Sequence, residues 1–373
     1  MGKAVIGFQA LLFSAKTPEE LDREMKGIKD LGIDTVIVRV FHNRGDRFYP
    51  FADPKNDAGV YFATDDAPVV DDVLPLMIAS ARKNKLSIFA WMTTKYAAYN
   101  GDDTSHYGLF TYDFEKKKIL PSFGVDFFSD SEVNRLIHMY EDLASYDIDG
   151  ILFQDDFVLK HNEGMGPNAE RLYGKKIKPS EFYIDPYLNG AGTKYYVLEY
   201  TDEFWTWSAF KARRLGAVAK KIIAAVKSKN PDLVCAINLS YESALRPDLA
   251  LAWLSQDIGE FKKAGADYFF IMAYHRQLMR EKSLKSVKET APYVEEIAKN
   301  ALFMVDDPWR VGIKLQVSDW DTGLPLPPRE LATVGGYIPN LTKISLIFVP
   351  YRSDAPLEDV SAVIKIARRG KNK

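Results

Sequence analysis

The chain has 373 residues, of which 49 are Lys or Arg and 51 are Asp or Glu, so its formal net charge is −2. This balance argues against a nucleic-acid-binding protein, which usually carries a basic excess. The hydrophobic fraction of 47% is typical of a folded globular core, and no apolar run reaches the roughly 20 residues that a membrane-spanning helix needs. The single cysteine, Cys235, excludes internal disulfides and cysteine-based zinc sites.

Eight continuous apolar runs recur along the chain, as expected for parallel strands that are covered on both faces. They span residues 5–12, 35–41, 86–92, 150–154, 233–239, 268–272, 311–317 and 344–349. Helical stretches separate them, and the segments 17–20 and 129–132 carry capping-box signatures. Eight strand–helix units predict a (β/α)8 TIM barrel that forms one domain over residues 1–373. The alternative is an open doubly wound sheet, but no glycine-rich phosphate loop follows any strand.

A weak internal repeat supports this prediction. Similar segments end a helix, turn at Asp34, Asp149 or Asp267, and enter the next strand. These aspartates are therefore expected at the amino-terminal ends of strands. In a barrel that face contributes to stability, whereas catalysis takes place at the opposite face.

Polar and aromatic residues cluster just after the predicted strands, where a barrel gathers them around one pocket. The segments 43–67, 93–128 and 155–202 follow strands two, three and four and are long and aromatic. We therefore predict long loops there that form a substrate-binding groove. The expected substrate contacts are Arg39, His42, Trp91, Tyr241, Glu242, Tyr274, Asp319, Trp320 and Tyr351. Three of them have a structural alternative. It is core packing for Trp91 and, with less weight, for Trp320, and a buried ion pair for Arg39, which interrupts an apolar strand.

The fourth strand ends in Asp155-Asp156. Glycoside hydrolysis uses two carboxyl groups, one that protonates the leaving oxygen and one that acts as base or nucleophile. We predict Asp155 as the proton donor or acceptor, with Asp156 orienting it or sharing its charge. The partner carboxylate is expected to be Glu163, Glu242 or Asp319, in that order. The alternative for the pair is that it binds a cation or caps the following loop.

Other chemistries fit this sequence less well. The five histidines, at positions 42, 106, 138, 161 and 275, show no metal-ligand spacing, and the chain has no G-x-S-x-G nucleophile elbow. We expect neither a metal nor another cofactor.

Several motifs resemble a known family. They are 150–156 with the preceding 140–144, 89–92, 207–211, Met272-Ala273, Leu315-Gln316 and Asp319-Trp320. Together they resemble the C-terminal hydrolase domain of PgaB-type proteins, which belongs to the hypothetical glycosyl hydrolase 13 group, also called glycoside hydrolase family 153. The resemblance covers almost the whole chain. The sequence departs from the family pattern at Gln154, where members commonly carry His or Asp, at Gln9 and Ala10, and at His161.

This resemblance implies a (β/α)8 barrel that acts on poly-β-1,6-N-acetylglucosamine, a biofilm exopolysaccharide, in partly deacetylated form. It implies an endo-acting glycoside hydrolase whose catalytic acid lies in the Asp-Asp pair, at the position of Asp155. It also implies a periplasmic or secreted protein whose leader is absent from this chain, although the sequence equally allows a cytoplasmic location. We expect a monomer with a polysaccharide substrate.

Two other functions are weighed against this one. A non-catalytic polysaccharide-binding barrel would explain Gln9 and His161, which stand where the family carries acids. A chitinase-like enzyme requires D-x-x-D-x-D-x-E on strand four, and residues 148–155 do not supply it. We also expect an acidic groove that attracts cationic sugars. The acids that follow strands are Asp155, Asp156, Glu163, Glu242, Asp319, Asp321 and Asp354.

Overall fold

A closed barrel of eight parallel strands occupies the centre of the computed structural model, which describes residues 4–99, 108–188, 195–197, 199–327, 329–339, 342–353 and 358–369. The strands are β1 (Ile6–Ala10), β2 (Thr35–Arg39), β3 (Ser87–Met92), β4 (Gly150–Phe153), β5 (Val234–Ser240), β6 (Tyr268–Met272), β7 (Val311–Gln316) and β8 (Ser345–Tyr351). Each strand pairs with the next, and β8 closes against β1. The predicted (β/α)8 barrel is confirmed, and the open-sheet alternative is excluded.

Helices surround the barrel. They are α1 (Pro18–Asp30), α2 (Leu74–Lys83), α3 (Asp130–Ala144), α4 (Pro167–Tyr173), α5 (Asp202–Lys229), α6 (Glu242–Leu245), α7 (Pro247–Leu254), α8 (Ile258–Ala264), α9 (His275–Glu281), α10 (Val287–Val305), α11 (Glu330–Gly336) and α12 (Glu358–Arg369). None of the helices in these described ranges is long and apolar enough to cross a membrane. The predicted caps are present, since Thr17 Oγ1 accepts the backbone N–H of Glu20 at 3.3 Å and Ser129 Oγ that of Glu132 at 3.4 Å.

The segments after β2, β3 and β4 are long, as predicted, and they carry short antiparallel hairpins. The paired strands are Phe41–His42 with Gly59–Val60, Leu109–Asp113 with Lys118–Ser122, Tyr183–Ile184 with Glu199–Tyr200, and Tyr187–Leu188 with Tyr195–Tyr196. These hairpins stand at the carboxyl end of the barrel and raise its wall on one side. Two short 3-10 helices, Pro179–Glu181 and Pro308–Arg310, complete the described elements.

Glycines make room for aromatic rings inside the barrel. A Cβ atom added at Gly150 would lie 2.8 Å from the ring of Phe89, and one added at Gly312 would lie 2.4 Å from the ring of Phe270. Both glycines therefore face the barrel axis. Because side chains alternate along a strand, Lys314 also faces the axis, two residues further toward the carboxyl end of β7.

The repeated aspartates lie directly before β2, β4 and β6, as predicted. Asp34 Oδ1 accepts the backbone N–H of Ile6, at the start of β1, at 3.0 Å. Asp149 Oδ2 accepts that of Ile88 in β3 at 2.7 Å, and Asp267 Oδ2 that of Cys235 in β5 at 2.8 Å. Each aspartate thus ties an even-numbered strand to the preceding odd-numbered one at the amino-terminal end of the barrel.

Candidate active site

The two adjacent carboxylates after β4 lie in different surroundings. Asp156 is buried and accepts hydrogen bonds from the hydroxyls of Thr93, at 2.6 Å, and Thr94, at 2.8 Å. It also accepts the backbone N–H groups of Thr94, at 3.0 Å, and Tyr96, at 2.8 Å. These bonds fasten the end of β4 to the segment after β3. Both carboxylate oxygens of Asp156 are therefore engaged within the protein, and the residue anchors the loop.

Asp155 is exposed at the mouth of the barrel. No side chain of the described residues donates a hydrogen bond to it. The protein that surrounds the mouth raises the pKa of its carboxyl group, and the charge of Asp156 adds to this effect, while the charges of Lys314 and Lys95 oppose it. A carboxyl group that is open to a ligand and has a raised pKa is suited to exchange protons near neutral pH.

Lys314 lies beneath the mouth, inside the barrel. It is 1% exposed, and its Nζ donates to Asn238 Oδ1 on β5 at 2.9 Å. Burial lowers the pKa of Lys314 to about 7, although the charge of Asp155 acts to raise it. Sequence reasoning missed this residue. The sequence did indicate it, because Lys314 interrupts an apolar strand. It also lies two residues before Gln316, so both side chains point to the same face of β7.

Glu163, the first candidate for the partner carboxylate, is held by a cation. Its Oε2 accepts Nζ of Lys95 at 2.9 Å and the backbone N–H of Lys160 at 2.9 Å, and both members of the ion pair are buried. The structure thus places Glu163 near Asp156, through the shared segment after β3. In this conformation its carboxylate is occupied by the ion pair.

Glu242, the second candidate, begins the short helix α6 after β5. Burial raises the pKa of its carboxyl group, and the charge of Glu281 adds to this, while hydrogen bonds that it accepts from its own backbone N–H and from Ser240 lower it. The neighbouring Tyr241 is buried, and its hydroxyl donates to Glu281 Oε2 at 2.5 Å. Unlike Glu163, Glu242 forms no ion pair with a cation among the described residues.

Asp319, the third candidate, belongs to a network around Arg276. Arg276 donates to Asp319 Oδ2 at 3.0 Å and to both oxygens of Glu330, at 2.6 and 2.7 Å. His275 Nε2 lies 2.9 Å from Glu330 Oε1. Burial would raise the pKa of Glu330, but these two partners hold it down to about 2. The sequence carried no signal for Glu330, which lies 54 positions after Arg276.

Aromatic side chains surround the mouth. Trp91 and Trp320 line one cavity of about 270 Å³, together with Gln9, Leu11, Val349 and Pro350. Trp91 is buried, and its indole N–H donates to Gln154 Oε1. Trp320 is 41% exposed and packs edge-on against Tyr274, with ring centroids 4.5 Å apart. The two tryptophans thus share one face of the barrel, and Trp320 offers an open ring to a ligand.

Three further predicted contacts make strong bonds within the protein. Arg39 is buried and pairs with Asp46 at 2.8 Å, which is the structural alternative weighed above. His42 is fully buried, and its Nδ1 lies 2.9 Å from the hydroxyl of Tyr61. Tyr351 lines a cavity of about 720 Å³ at the rim, but it is buried and its hydroxyl donates to Glu24 Oε2 at 3.2 Å.

The expected acidic field is largely matched by cations. Ion pairs join Glu163 to Lys95, Asp319 to Arg276 and Asp321 to Arg280. Asp354 lies outside the described residues. Asp155, by contrast, is exposed and has no ion-pair partner among the described residues. Among the described residues, no group of three or more His, Cys, Asp or Glu side chains is arranged to hold a metal ion.

The chain matches one family model and is similar to several solved barrel structures. The model of a family described as hypothetical glycosyl hydrolase family 13 matches residues 14–338. The PgaB (BpsB) glycoside hydrolase domain from Bordetella bronchiseptica is 19% identical, with a TM-score of 0.67, and the alignment covers 98% of this chain and 97% of that one.

Two further solved structures share the barrel. The catalytic domain of β-amylase from Paenibacillus polymyxa is 12% identical, with a TM-score of 0.60 and full coverage of both chains. An endo-1,4-β-mannanase from Rhizomucor miehei is 11% identical, with a TM-score of 0.58, covering 100% of this chain and 99% of that one. At these identities the likeness establishes the fold alone. No curated protein sequence matches the chain significantly.

Proposed function

Because the chain belongs to hypothetical glycosyl hydrolase family 13 and is a glycoside hydrolase, we propose that it cleaves within a partly deacetylated amino-sugar exopolysaccharide of the poly-β-1,6-glucosamine type. The observation that carries the catalytic part is the exposed Asp155 directly after β4, which accepts no hydrogen bond from another described side chain and has a raised pKa. The polymer is proposed from the likeness to the PgaB glycoside hydrolase domain and from the sequence motifs around β4 and β7. This substrate would place the protein outside the cytoplasm.

In the proposed mechanism, Asp155 exchanges a proton with the glycosidic oxygen of the bond to be cleaved. Its raised pKa favours the protonated form, which is the state a general acid needs. Lys314 lies below it and limits how far that pKa rises. Asp156 holds the backbone of β4 against the segment after β3 and so positions Asp155.

A second carboxylate would assist as base or nucleophile. We place Glu242 first in that role, because the carboxylates of Glu163 and Asp319 are held by Lys95 and Arg276. Trp320, with Tyr274 behind it, would stack on a sugar ring beside the cleavage position. The apolar C–H face of a sugar matches such an aromatic surface.

The same ion pairs favour one alternative, a polysaccharide-binding barrel without hydrolytic activity. The test is incubation of the purified protein with partly deacetylated poly-β-1,6-N-acetylglucosamine and measurement of new reducing ends. We expect native protein to release oligosaccharides of mixed length, as an endo-acting enzyme does. Asp232→Asn, at an exposed site between α5 and β5, serves as a control that should keep full activity.

The outcome separates the two functions. Polymer binding without any release of reducing ends would establish the binding barrel and refute the hydrolase proposal for this substrate. Release of single sugars from one chain end would refute the endo-acting mode. Single replacement of Glu163 and Glu242 by Gln, and of Asp319 by Asn, then identifies the second carboxylate, because its loss should lower kcat by far more than the loss of the other two.

A further inference from the structure

A second cavity, of about 650 Å³, opens between the segments that follow β2 and β3. We call it the side cavity; its lining includes His42, Tyr96, Tyr99 and Phe123. It lies close to the mouth, because the backbone N–H of Tyr96 donates to Asp156 Oδ2 at 2.8 Å. A polymer that passes over Asp155 can therefore extend into the side cavity.

An exposed aromatic platform forms one wall of this cavity. Tyr96 and Phe123 are 36% and 40% exposed, and their rings stack with centroids 6.0 Å apart and an angle of 13° between the planes. Exposed aromatic rings that adjoin one another mark a binding surface more often than a single exposed ring does. Two offset, roughly parallel rings form a stepped apolar surface against which the C–H face of a pyranose can pack.

Two residues that line the same cavity carry buried polar atoms without partners among the described residues. His42 is fully buried, and its Nε2 has no hydrogen-bond partner among the described residues, although its Nδ1 is bonded to Tyr61. The buried hydroxyl of Tyr99 also has no partner there. Buried polar groups are normally satisfied, because an unmet donor or acceptor costs free energy. Sugar hydroxyl or amide groups would supply the missing bonds to both atoms.

The charges at the side cavity balance each other. Arg44 and Asp57 both line it, and Arg44 Nε lies 3.1 Å from Asp57 Oδ2. Burial, aided by the charge of Arg39, lowers the pKa of His42, so the imidazole is neutral at pH 7. The site thus presents no net charge to a ligand.

We propose that the side cavity is a subsite that binds an uncharged sugar ring of the polymer, apart from the position of cleavage. The inference rests on the proposed function for the identity of the polymer. Tyr96 and Phe123 stack on the ring, and His42 Nε2 and the Tyr99 hydroxyl bond to its polar groups. Such a subsite holds the chain at a distance from Asp155, which favours cleavage inside long polymers.

The test measures binding in the Asp155→Asn background, so that no probe is consumed. The probe is a fully acetylated, uncharged β-1,6-linked N-acetylglucosamine hexamer, titrated by calorimetry at two salt concentrations. We expect Phe123→Ala to weaken binding by about tenfold through lost apolar contact. We expect Tyr99→Phe to weaken it by about fivefold. Neither loss should depend on salt, because the proposed ligand is uncharged.

Tyr99→Phe also gives a readout that a purely structural role would not produce. Removal of a buried hydroxyl without a partner should leave the melting temperature equal to or above that of native protein. The matched control is Phe303→Ala, which removes an 85% exposed ring from α10 and should leave affinity unchanged. If the Asp155→Asn protein binds the hexamer with the same affinity whether or not it also carries Phe123→Ala or Tyr99→Phe, the subsite is overturned.

Polymer cleavage by the native protein is measured in parallel. If the polymer is cleaved but the two variants bind the hexamer normally, the subsite is overturned and the proposed function stands. If the polymer is not cleaved but hexamer binding depends on Phe123 and Tyr99, the subsite stands and the proposed function falls. Absence of hexamer binding overturns the subsite.

Discussion

The two ends of the barrel use acidic residues in opposite ways. At the amino-terminal end, Asp34, Asp149 and Asp267 each accept a backbone N–H at the start of a neighbouring strand. At the carboxyl end, Asp155 accepts no hydrogen bond from another described side chain, and its pKa is raised. A carboxylate whose bonds are satisfied within the protein stabilises the fold, whereas one that lacks them is available to a ligand. The hydrogen-bond partners of an aspartate therefore distinguish a stabilising residue from a functional one better than its position in the sequence does.

The strongest test of this comparison is the adjacent pair at the end of β4. Asp155→Asn should lower kcat on the polymer by roughly 10²–10⁴-fold, because a proton-transferring group is lost. Its melting temperature should stay near native, since no internal bond is broken. Asp156→Asn should instead destabilise the fold, because it weakens charge-assisted bonds to the segment after β3. If the two variants showed the reverse pattern, the assignment of roles within the pair would be wrong.

The Arg276 network tests whether satisfied acids stabilise the fold even at the mouth. Glu330→Gln removes the negative charge and one of the two acceptor oxygens that face Arg276 and His275, so we expect a loss of about 3 kcal/mol in the free energy of unfolding at pH 7. The pKa of Glu330 is lowered to about 2 in the folded protein. Its contribution is therefore complete above about pH 4.5 and disappears as the pH falls toward 2.

Denaturant titrations of native protein and Glu330→Gln across this pH range provide the measurement. The difference between them should shrink steadily below pH 4.5. A difference that stays constant with pH would mean that the carboxylate charge does not supply the stabilisation.

At the amino-terminal end, Asp149→Ala removes the acceptor for the N–H of Ile88 and one partner of Arg82. We expect a loss of roughly 2 kcal/mol in the free energy of unfolding, with kcat/KM of the folded protein unchanged. The control is Asp147→Ala, since Asp147 also pairs with Arg82 but is 79% exposed. That variant should change stability by only about 0.5 kcal/mol. Loss of activity in folded Asp149→Ala protein would contradict the division between the two ends.

The last test concerns Lys314, a buried cation at the functional end. Its pKa is lowered to about 7 by burial, against an ordinary value near 10.4. The folded state therefore binds fewer protons than the unfolded state between these values, and this group makes the free energy of unfolding rise with pH from 7 to about 10. Lys314→Met should lack that part of the slope.

Activity gives a second readout for Lys314→Met. The charge of Lys314 lowers the pKa of Asp155. In Lys314→Met the pKa of Asp155 should therefore rise, and the part of the kcat–pH profile that reports Asp155 should move to higher pH. The measurement is a pH–rate profile of both proteins on the same polymer. An unmoved limb would show that Lys314 serves stability or packing alone.

Much of the fold could be predicted because its signals are local in the sequence. Apolar runs, capping boxes at Thr17 and Ser129, and the repeated aspartates were each visible within about ten residues. A parallel strand that is covered on both faces must be apolar throughout, so eight such runs separated by helices predict a barrel. The acidic pair after β4 was visible for the same reason, because two carboxylates directly after an apolar strand stand out.

Only the tertiary structure decided which of the mouth residues are free to meet a ligand. Glu163 is bound by Lys95, 68 positions earlier, and Lys314 is bound to Asn238, 76 positions earlier. Such partners meet because the barrel closes and brings the ends of distant strands within hydrogen-bond distance, and no periodicity in the sequence records that meeting. The sequence by itself therefore determined the barrel and the candidate carboxylates. Packing around the closed barrel determined which carboxylate keeps an open face, because a buried charge must find its counter-charge wherever the fold has placed one.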